Sequence, residues 1–166
     1  MSAGAGLKSA SVVDEARVQY AALPYRFRDG LEILLVSSRE TRRWVLPKGW
    51  PMKSKKPHSA AAREAMEEAG LVGKIDKKSL GAYHYQKRLK NGATVLCRVQ
   101  VFPMLVEKQR KSWPEKDQRT TQWFRITEAA EAVAEPELQT VIREFESVAA
   151  AQKKAPAAPK KKPKKN

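Results

Sequence analysis

The spacing of apolar residues along the chain predicts a mixture of short strands and helices. Runs rich in β-branched and aromatic residues between turn residues are typical of strands, and apolar residues three or four positions apart are typical of helices. Strands are predicted over residues 18–25, 31–38, 45–46, 79–88, 94–106 and 121–126, and helices over 57–69, over 128–134 and from 136 onward. Because strands and helices are interleaved, we expect an α/β fold in which helices cover a mixed sheet.

Several residues indicate where these elements begin and end. Pro57 suits the first turn of a helix because its missing N–H is not needed there, and Gly70 supplies a left-handed C-terminal stop. Thr127 is expected to cap the second helix, and the Asn-Gly pair at 91–92 indicates a hairpin turn. Pro103 interrupts a long strand and is therefore expected at a sheet edge or a bulge. The buried stripe of the last helix is predicted to comprise Leu138, Val141, Ile142 and Phe145.

Composition divides the chain of 166 residues into one domain and two irregular ends. Residues 1–14 are small and polar and are expected to be flexible, and residues 15–149 form the predicted domain. Residues 150–166 consist mainly of Lys, Pro and Ala and are predicted to be a disordered basic tail, because they cannot bury enough apolar surface to offset their ordering entropy. Seven lysines of this tail account for about half of the net charge of +15.

The cysteine content and hydropathy favour a cytoplasmic location. Cys97 is the single cysteine of the chain, which excludes a disulfide framework and fits a reducing compartment. No apolar run approaches the ~20 residues that a membrane-spanning helix requires. The N-terminal segment also lacks the apolar centre of a secretion signal.

Three carboxylates share one face of the first predicted helix. Glu64, Glu67 and Glu68 have i, i+3 and i+4 spacing, so their side chains lie on one patch and repel one another unless a cation lies between them. Hard divalent cations such as Mg²⁺ prefer oxygen ligands of this kind. Taken alone, the pattern also fits a solvated helix face. The small apolar residues on the opposite face and the basic loop before the helix favour the metal site.

The segment from Gly49 to Leu71 resembles the Nudix box. That motif places a glycine, a glutamate and an Arg-Glu-apolar-x-Glu-Glu-x-Gly-apolar sequence at fixed spacing. The matching residues are Gly49, Arg63, Glu64, Glu67, Glu68, Gly70 and Leu71. Lys55 departs from the motif, since the family usually has glutamate there. The resemblance extends over residues 18–145 and implies an α/β/α sandwich with a mixed sheet, in which the box forms a loop-helix-loop.

The resemblance implies hydrolysis of a diphosphate linked to another moiety, with Mg²⁺ or Mn²⁺ as cofactor. It assigns Glu64 and Glu68 as the principal metal ligands, and Glu67 as either a further metal ligand or a carboxylate that supports the ligands. The backbone carbonyl of Lys48 is the implied ligand from the loop. Arg63 is expected to orient Glu64 through a charge-assisted hydrogen bond.

The identity of the catalytic base remains open between several carboxylates. Glu67 or Glu68 is preferred, and Glu107 and Glu115 are candidates outside the motif, although either suits a plain surface position. The positive charge of Lys55 either weakens metal binding, favours a more anionic substrate or has no role.

The stretch "VSSRETRRWVLPKGW" resembles the branch that contains diphosphoinositol polyphosphate phosphohydrolases and diadenosine polyphosphate hydrolases. The residues that match its phosphate-binding positions are Ser37, Ser38, Arg39, Lys87, Arg88, Lys90 and Arg119. Guanidinium and ammonium groups in this number suit a substrate with many phosphates. For Trp50, packing in the core is favoured over stacking on a base, and Trp44 is expected in the core. The two substrate classes stay unresolved.

Two other functions compete with hydrolysis. A domain that binds without hydrolysing is suggested by Lys55. A nucleic-acid or polyphosphate binding protein is suggested by the basic tail, whose lysines give sequence-independent affinity for phosphates. The tail lacks the aromatic residues that stack on bases, so we expect it to be an accessory to the enzyme.

Overall fold

The computed structural model describes residues 16–154, which fold as one mixed sheet with helices on both faces. Its strands are β1 (Arg17–Phe27), β2 (Leu31–Ser37), β3 (Trp44–Val45), β4 (Lys48–Gly49), β5 (Leu71–Ile75), β6 (Gly81–Arg88), β7 (Thr94–Gln109) and β8 (Thr121–Arg125). The described helices are α1 (Pro57–Ala69), α2 (Ile126–Ala132) and α3 (Pro136–Lys154).

The centre of the sheet is a parallel pair, β1 beside β7, and the remaining strand pairs are antiparallel. β6 and β7 form the predicted hairpin, and β7 then exchanges β6 for β5 as its second neighbour. Pro103 lies at this exchange, between Val101 opposite β6 and Met104 opposite β5. The expectation of an edge or bulge was wrong. Proline is accommodated inside a central strand because one neighbour ends and the next begins at that point.

Alternate residues of β1 point to opposite faces of the sheet and build two separate cores. Ala21 and Leu23 pack towards α2 and α3, whereas Ala22 packs towards α1. Three stripe residues of α3, Leu138, Ile142 and Phe145, are fully buried, and Val141 packs against them from a partly buried position. Ala61, Ala65 and Ala69 of α1 are fully buried against the other face. The predicted α/β/α sandwich is confirmed.

Helix α1 has the predicted bounds, and Gly70 follows it with φ 71° and ψ 21°, the left-handed stop that was expected. Trp44 packs against the core, with its ring 5.1 Å from that of Phe124. Residues 48–49, predicted as loop, pair with β1 as the short strand β4. Strand β5 was not predicted.

At the C-terminal end of the domain, α2 begins at Ile126, so Thr127 lies inside the helix and does not cap it. Arg125 occupies the N-cap position, because β8 continues to that residue and leads directly into the helix. Helix α3 continues to Lys154, beyond residue 149 at which the domain was expected to end. The expected flexible N-terminus and residues 155–166 of the basic tail lie outside the described residues. Among residues 16–154, no helix combines the length and apolarity needed to cross a bilayer.

Candidate active site

The motif glutamates are placed by the contact between α1 and β4. One face of α1 packs on the sheet through Ala61, Ala65 and Ala69. The adjacent face of the helix therefore directs Glu64 and Glu68 towards β4. A Cβ atom on Gly49 would lie only 2.1 Å from Glu64 Oε2 and 2.4 Å from Glu64 Cδ. Glycine is therefore required at this position because the Glu64 carboxyl group packs directly on its backbone.

The Glu64 and Glu68 carboxyl groups lie next to each other and repel when both are ionised. Burial, followed by repulsion from Glu68 and Glu67, raises the pKa of Glu64 to about 8. Burial also raises the pKa of Glu68, although the nearby charges of Arg119 and Lys48 lower it in part. Ionising both carboxyl groups side by side is costly. A bound cation would offset this cost, so binding would release the proton that the pair otherwise retains.

This pair predicts a pH-dependent stabilisation by divalent cations. A carboxyl group whose folded-state pKa lies above its unfolded value stabilises the fold at low pH and loses this contribution as pH rises through the folded pKa. The melting temperature in a chelator should therefore fall from about pH 5.5 to pH 8.5 through this pair. Because a cation replaces the proton, the increase in melting temperature caused by Mg²⁺ should be larger at the higher pH. Differential scanning fluorimetry measures both, and an equal increase at the two pH values would contradict the pairing.

The segment between β7 and β8 caps the C-terminal end of α1. Trp113 Nε1 donates to the Glu68 carbonyl at 3.2 Å, Glu115 N donates to the Glu67 carbonyl at 3.0 Å, and Arg110 N donates to the Gly70 carbonyl at 2.7 Å. These bonds satisfy carbonyl groups that a helix terminus leaves without intrahelical partners. They also bring Glu115 to the motif carboxylates, whereas Glu107 is exposed and does not line the site.

Gly70→Ala tests how strongly this cap depends on glycine. The alanine residue would have to keep the positive φ of Gly70. Its Cβ atom would lie 2.2 Å from Trp113 Cε3, so the indole must move away from the Glu68 carbonyl. We expect the free energy of unfolding to fall by about 2–4 kcal/mol. Gly92→Ala is the matched control, since its φ is +90° but nothing lies within 4 Å of the added atom. Urea unfolding should show a clearly smaller loss for the control, and equal losses would exclude the contact with Trp113 as the cause.

Arg119 connects the carboxylates to the sheet. Its Nε donates to Glu115 Oε1 at 2.7 Å, its Nη1 donates to the Ser37 carbonyl at 3.1 Å, and its Nη2 lies 3.5 Å from Glu68 Oε2. The Arg119 side chain is only 10% exposed, so these charges interact with little solvent screening. Arg119 thus holds Glu68 and Glu115 in place, in addition to lining the cleft as the sequence suggested.

Arg63 has a different partner from the expected one. Its Nε donates to Glu67 Oε2 at 2.7 Å and not to Glu64. Residues four apart lie on the same helix face, whereas adjacent residues point about 100° apart, which explains the choice of partner. Arg63 therefore orients Glu67.

The side chain of Lys48 lies among the carboxylates and aromatic rings of the cleft. Pairing of β4 with β1 fixes the backbone of Lys48 and Gly49, and the role of the Lys48 carbonyl as a metal ligand stays a prediction. The Lys48 ammonium lies 4.9 Å from the centre of the Tyr85 ring. Burial lowers the pKa of Lys48, and the Glu68 and Glu135 carboxylates counteract part of this shift.

A cleft of about 960 Å³ contains these groups and has the size of a ligand pocket. The residues predicted from the sequence that line it are Ser38, Arg39, Lys48, Gly49, Glu64, Glu67, Glu68, Lys87, Arg88 and Arg119. The exposed charged residues that line its rim are Arg39, Arg43 and Arg88 together with one acid, Glu40, so the entrance has a net positive charge. The structure therefore collects basic residues from three separate parts of the chain around one opening.

Three residues singled out in the sequence lie elsewhere. Ser37 is buried, and its hydroxyl accepts a hydrogen bond from Thr120 N at 2.9 Å, so it supports β2 and does not face the cleft. Lys90 lies in the turn after β6, outside the cleft lining. Lys55 is exposed in a turn closed by its N–H to the Met52 carbonyl at 3.1 Å, and it does not line the cleft either. The departure from the motif at Lys55 thus leaves the carboxylate pair intact.

One cleft residue was expected in the core, and several others were not identified from the sequence. Trp50 is 37% exposed and lines the cleft, which overturns the preference for a core position. Tyr83, Tyr85 and Glu135 also line it. No local signal marks them, because a tyrosine in a strand and a glutamate before Pro136 are ordinary. They reach the cleft only through the pairing of β6 with β7 and the position of the α2–α3 connection.

The carboxyl oxygens of Glu64 and Glu68 are donors of the kind that a hard divalent cation prefers. Within residues 16–154, no group of three His, Cys, Asp or Glu side chains has the arrangement of a formed metal site. Glu67 forms an ion pair with Arg63, and Glu115 forms one with Arg119, so an oxygen of each is already engaged within the protein. Glu64 and Glu68 are the residues that would hold the ion, because they are closely paired acidic oxygen donors in a confined space.

Comparison with known proteins places the chain in a family. Residues 17–145 match the NUDIX domain model. Nudix hydrolase 17, mitochondrial, from Arabidopsis thaliana is 34% identical over 66% of this chain and 63% of its own length. Diphosphoinositol polyphosphate phosphohydrolase 3-alpha from Mus musculus is 34% identical over 66% of this chain and 64% of its own length. The chain spans just under two thirds of the length of these two relatives.

The fold is shared with solved structures at lower identity. A C. elegans Ap4A hydrolase in a binary complex superimposes with a TM-score of 0.60 and 20% identity, covering 82% of this chain and 99% of that one. Nudix hydrolases generally use divalent metal ions, in agreement with the carboxylate pair. The matched residues, the sandwich fold and the glutamate pair against Gly49 together show that this chain belongs to the Nudix hydrolase family.

Proposed function

We propose that this protein is a Mg²⁺-dependent pyrophosphohydrolase that cleaves phosphoanhydride bonds in highly anionic substrates. The observation that carries the proposal is the buried Glu64–Glu68 pair against Gly49, inside a cleft with a basic rim. The substrates that fit this arrangement best are diphosphoinositol polyphosphates and diadenosine polyphosphates. The mouse relative's name and the name of the C. elegans structural neighbour correspond to these two classes.

Each group in the cleft has a distinct task in this proposal. A divalent cation, when bound, neutralises the diphosphate and makes a bound water more acidic. Glu64 and Glu68 would hold that cation, and Arg119 keeps Glu68 oriented while neutralising Glu115. Arg39 and Arg88 bind the phosphates at the rim, where guanidinium groups can form two parallel hydrogen bonds to one phosphate.

The catalytic base is best sought among Glu67, Glu68 and Glu115, all of which line the cleft. Glu67 and Glu115 each accept a 2.7 Å charge-assisted hydrogen bond from an arginine. One oxygen of each of these two carboxylates is therefore occupied by an arginine. Glu68 lies farther from its arginine, at 3.5 Å, and burial raises its pKa, so we prefer Glu68 as the base.

A substrate panel tests the proposal. The wild-type protein is incubated with diadenosine polyphosphates, diphosphoinositol polyphosphates and inorganic tripolyphosphate, with Mg²⁺ or with a chelator. Chromatography of the products should show turnover that requires Mg²⁺. Absence of turnover of every phosphoanhydride, in protein shown by calorimetry to bind Mg²⁺, would favour the binding domain without hydrolysis that Lys55 suggested.

We further propose that the basic tail is an accessory that attracts anions. Lys153, in α3, lies 4.9 Å from the Phe27 ring, so a truncation should remove residues 155–166 and leave the helix intact. Because tail lysines act through long-range charge, we expect turnover at ~0.5 M salt to be unchanged by the deletion, and affinity for RNA or polyphosphate at low salt to fall. A large loss of turnover at high salt would instead place the tail in the active site.

The cytoplasmic location of the protein also stays a prediction, and the distribution of a fluorescent fusion in cells would test it.

A further inference from the structure

One arginine of the cleft rim, Arg39, is held by a residue from a distant segment of the chain. Its Nη1 donates a hydrogen bond to Gln118 Oε1 at 2.9 Å, and Gln118 lies in the segment between β7 and β8. Arg43, by contrast, bonds within its own loop, since its Nε donates to Thr41 Oγ1 at 3.3 Å. Arg39 lines the cleft and Gln118 does not, so the Gln118 side chain can influence a ligand through Arg39.

The loop that carries Arg39 is closed by hydrogen bonds of its own backbone. Ser38 N donates to the Arg43 carbonyl at 2.8 Å, and Arg42 N donates to the Ser38 carbonyl at 3.0 Å. The Ser38 hydroxyl also accepts a hydrogen bond from Arg43 N at 3.1 Å. The backbone from which the Arg39 side chain starts is therefore fixed, and Gln118 holds the other end of that side chain.

The position of Gln118 is fixed by main-chain contacts. Gln118 N donates to the Glu115 carbonyl at 2.9 Å, and the Gln118 carbonyl accepts a hydrogen bond from Arg42 Nη1 at 3.4 Å. Two residues later, Thr120 N donates to the Ser37 hydroxyl at 2.9 Å, and Ser37 N donates to the Thr120 carbonyl at 2.9 Å. None of these bonds involves the Gln118 side chain, so a substitution that shortens it leaves them in place.

The bond to Gln118 orders Arg39 and leaves it able to bind phosphate. A guanidinium group has five N–H donors, and Gln118 occupies one of them. The Nε and Nη2 of Arg39 form no hydrogen bond among residues 16–154, and this edge of the group can bind one phosphate through two parallel hydrogen bonds. An amide oxygen accepts from Arg39 without neutralising its charge. Because the side chain is already ordered in the free protein, binding a phosphate costs less conformational entropy.

We propose that Gln118 is a positioning residue that orients Arg39 towards a phosphate of the substrate. This inference rests on the proposed function, in which Arg39 binds a phosphate at the rim, and it adds the residue that prepares Arg39 for that task. Gln118 should therefore affect the affinity for a phosphate chain and not the affinity for the divalent cation, since its side chain contacts neither Glu64 nor Glu68.

The phosphate affinity is measured by isothermal titration calorimetry with Mg²⁺ and a methylene-bridged analogue of inorganic tripolyphosphate, which resists hydrolysis. Gln118→Ala should bind this analogue about 3- to 10-fold more weakly than wild type, the loss that corresponds to ordering one free side chain on binding. Gln118→Met should show a similar loss, because it keeps the length of the side chain but lacks the acceptor. The control is Gln122→Ala, which removes an exposed glutamine of β8 outside the cleft and should bind like wild type.

Double-mutant cycles distinguish the positioning of Arg39 from a general effect on the fold. Arg39→Ala should weaken binding at least as much as Gln118→Ala, and adding Gln118→Ala to it should cause no further loss, because the oriented side chain is absent. In an Arg88→Ala background, Gln118→Ala should cause its full loss, since the two residues share no hydrogen bond among residues 16–154. Electron paramagnetic resonance should give Gln118→Ala the Mn²⁺ affinity of wild type, whereas a loosened segment would release Arg119 from Glu68 and lower it.

Three results would each overturn the inference. They are wild-type affinity for the analogue in Gln118→Ala, an undiminished loss in the Arg39→Ala background, and a Mn²⁺ affinity that falls together with the phosphate affinity. Failure of the proposed function has a different signature, because wild-type protein would then hydrolyse no member of the substrate panel, whatever the Gln118 variants bind.

Discussion

Glu68→Gln is expected to reduce Mg²⁺-dependent phosphoanhydride hydrolysis by about 1,000-fold, because a bound metal contributes several kcal/mol and 1.4 kcal/mol corresponds to a factor of ten. Glutamine has the shape of the protonated glutamic acid, which is the form that burial favours at this site. The loss should therefore appear in turnover and metal affinity and not in folding. Arg119 retains its hydrogen bonds to Glu115 and to the Ser37 carbonyl in the variant.

The control for this substitution is Glu144→Gln, an identical change at an exposed position of α3. Turnover is measured at saturating Mg²⁺ with whichever substrate the panel identifies, and melting temperatures are measured in a chelator. We expect wild-type turnover in Glu144→Gln and melting temperatures of both variants within a few degrees of wild type. Turnover of Glu68→Gln within about threefold of wild type at limiting as well as saturating Mg²⁺ would exclude Glu68 from the metal site.

Gly49→Ala should be the second most damaging substitution. Its Cβ would lie 2.1 Å from Glu64 Oε2, so Glu64 must leave the position in which it faces Glu68. We expect the affinity for divalent cations to fall by about 100-fold, the upper part of the range seen when groups supporting a metal ligand are removed. Strain from the added methyl group should also lower the free energy of unfolding by about 1–3 kcal/mol.

A double-mutant cycle isolates the contact between Gly49 and Glu64. In a Glu64→Ala background the carboxyl group that the new Cβ meets is absent, so adding Gly49→Ala should cost little further stability. Urea unfolding in a chelator gives the four free energies without any contribution from the metal. If Gly49→Ala destabilises both backgrounds equally, the requirement for glycine lies in the backbone of β4 and not in the approach of Glu64.

Features set by neighbouring residues could be predicted from the sequence. The bounds of α1, its stop at Gly70 and the shared face of its glutamates follow from proline, glycine and helical spacing, all of which act within one or two turns. Helical spacing also explains why Arg63 forms its ion pair with Glu67 and not, as expected, with Glu64. Side chains four residues apart meet on a helix face, so this partner could have been predicted from the sequence.

Features set by distant segments could not be predicted in this way. β5 contains Gly73, which usually weakens a strand, but here a Cβ would lie 2.1 Å from the Leu105 carbonyl oxygen, so only glycine allows the approach of β7. Pro103 is tolerated because two neighbours of β7 meet beside it. Glu135 is 67 residues beyond Glu68 and reaches the cleft through tertiary contacts, and such contacts also separate Glu115, which lines the cleft, from the other candidate base, Glu107, which does not. A single sequence contains no local record of such contacts.

The direct test of the central claim is a titration of Mn²⁺ by electron paramagnetic resonance, with wild type, Glu64→Gln, Glu68→Gln and Glu144→Gln. Free Mn²⁺ gives a strong signal that diminishes on binding, so the measurement reports the site independently of any substrate. If Glu64 and Glu68 form the metal site, wild type and Glu144→Gln should bind the ion equally, and the other two variants should bind at least about 10-fold more weakly. Undiminished binding by Glu64→Gln and Glu68→Gln would contradict the account.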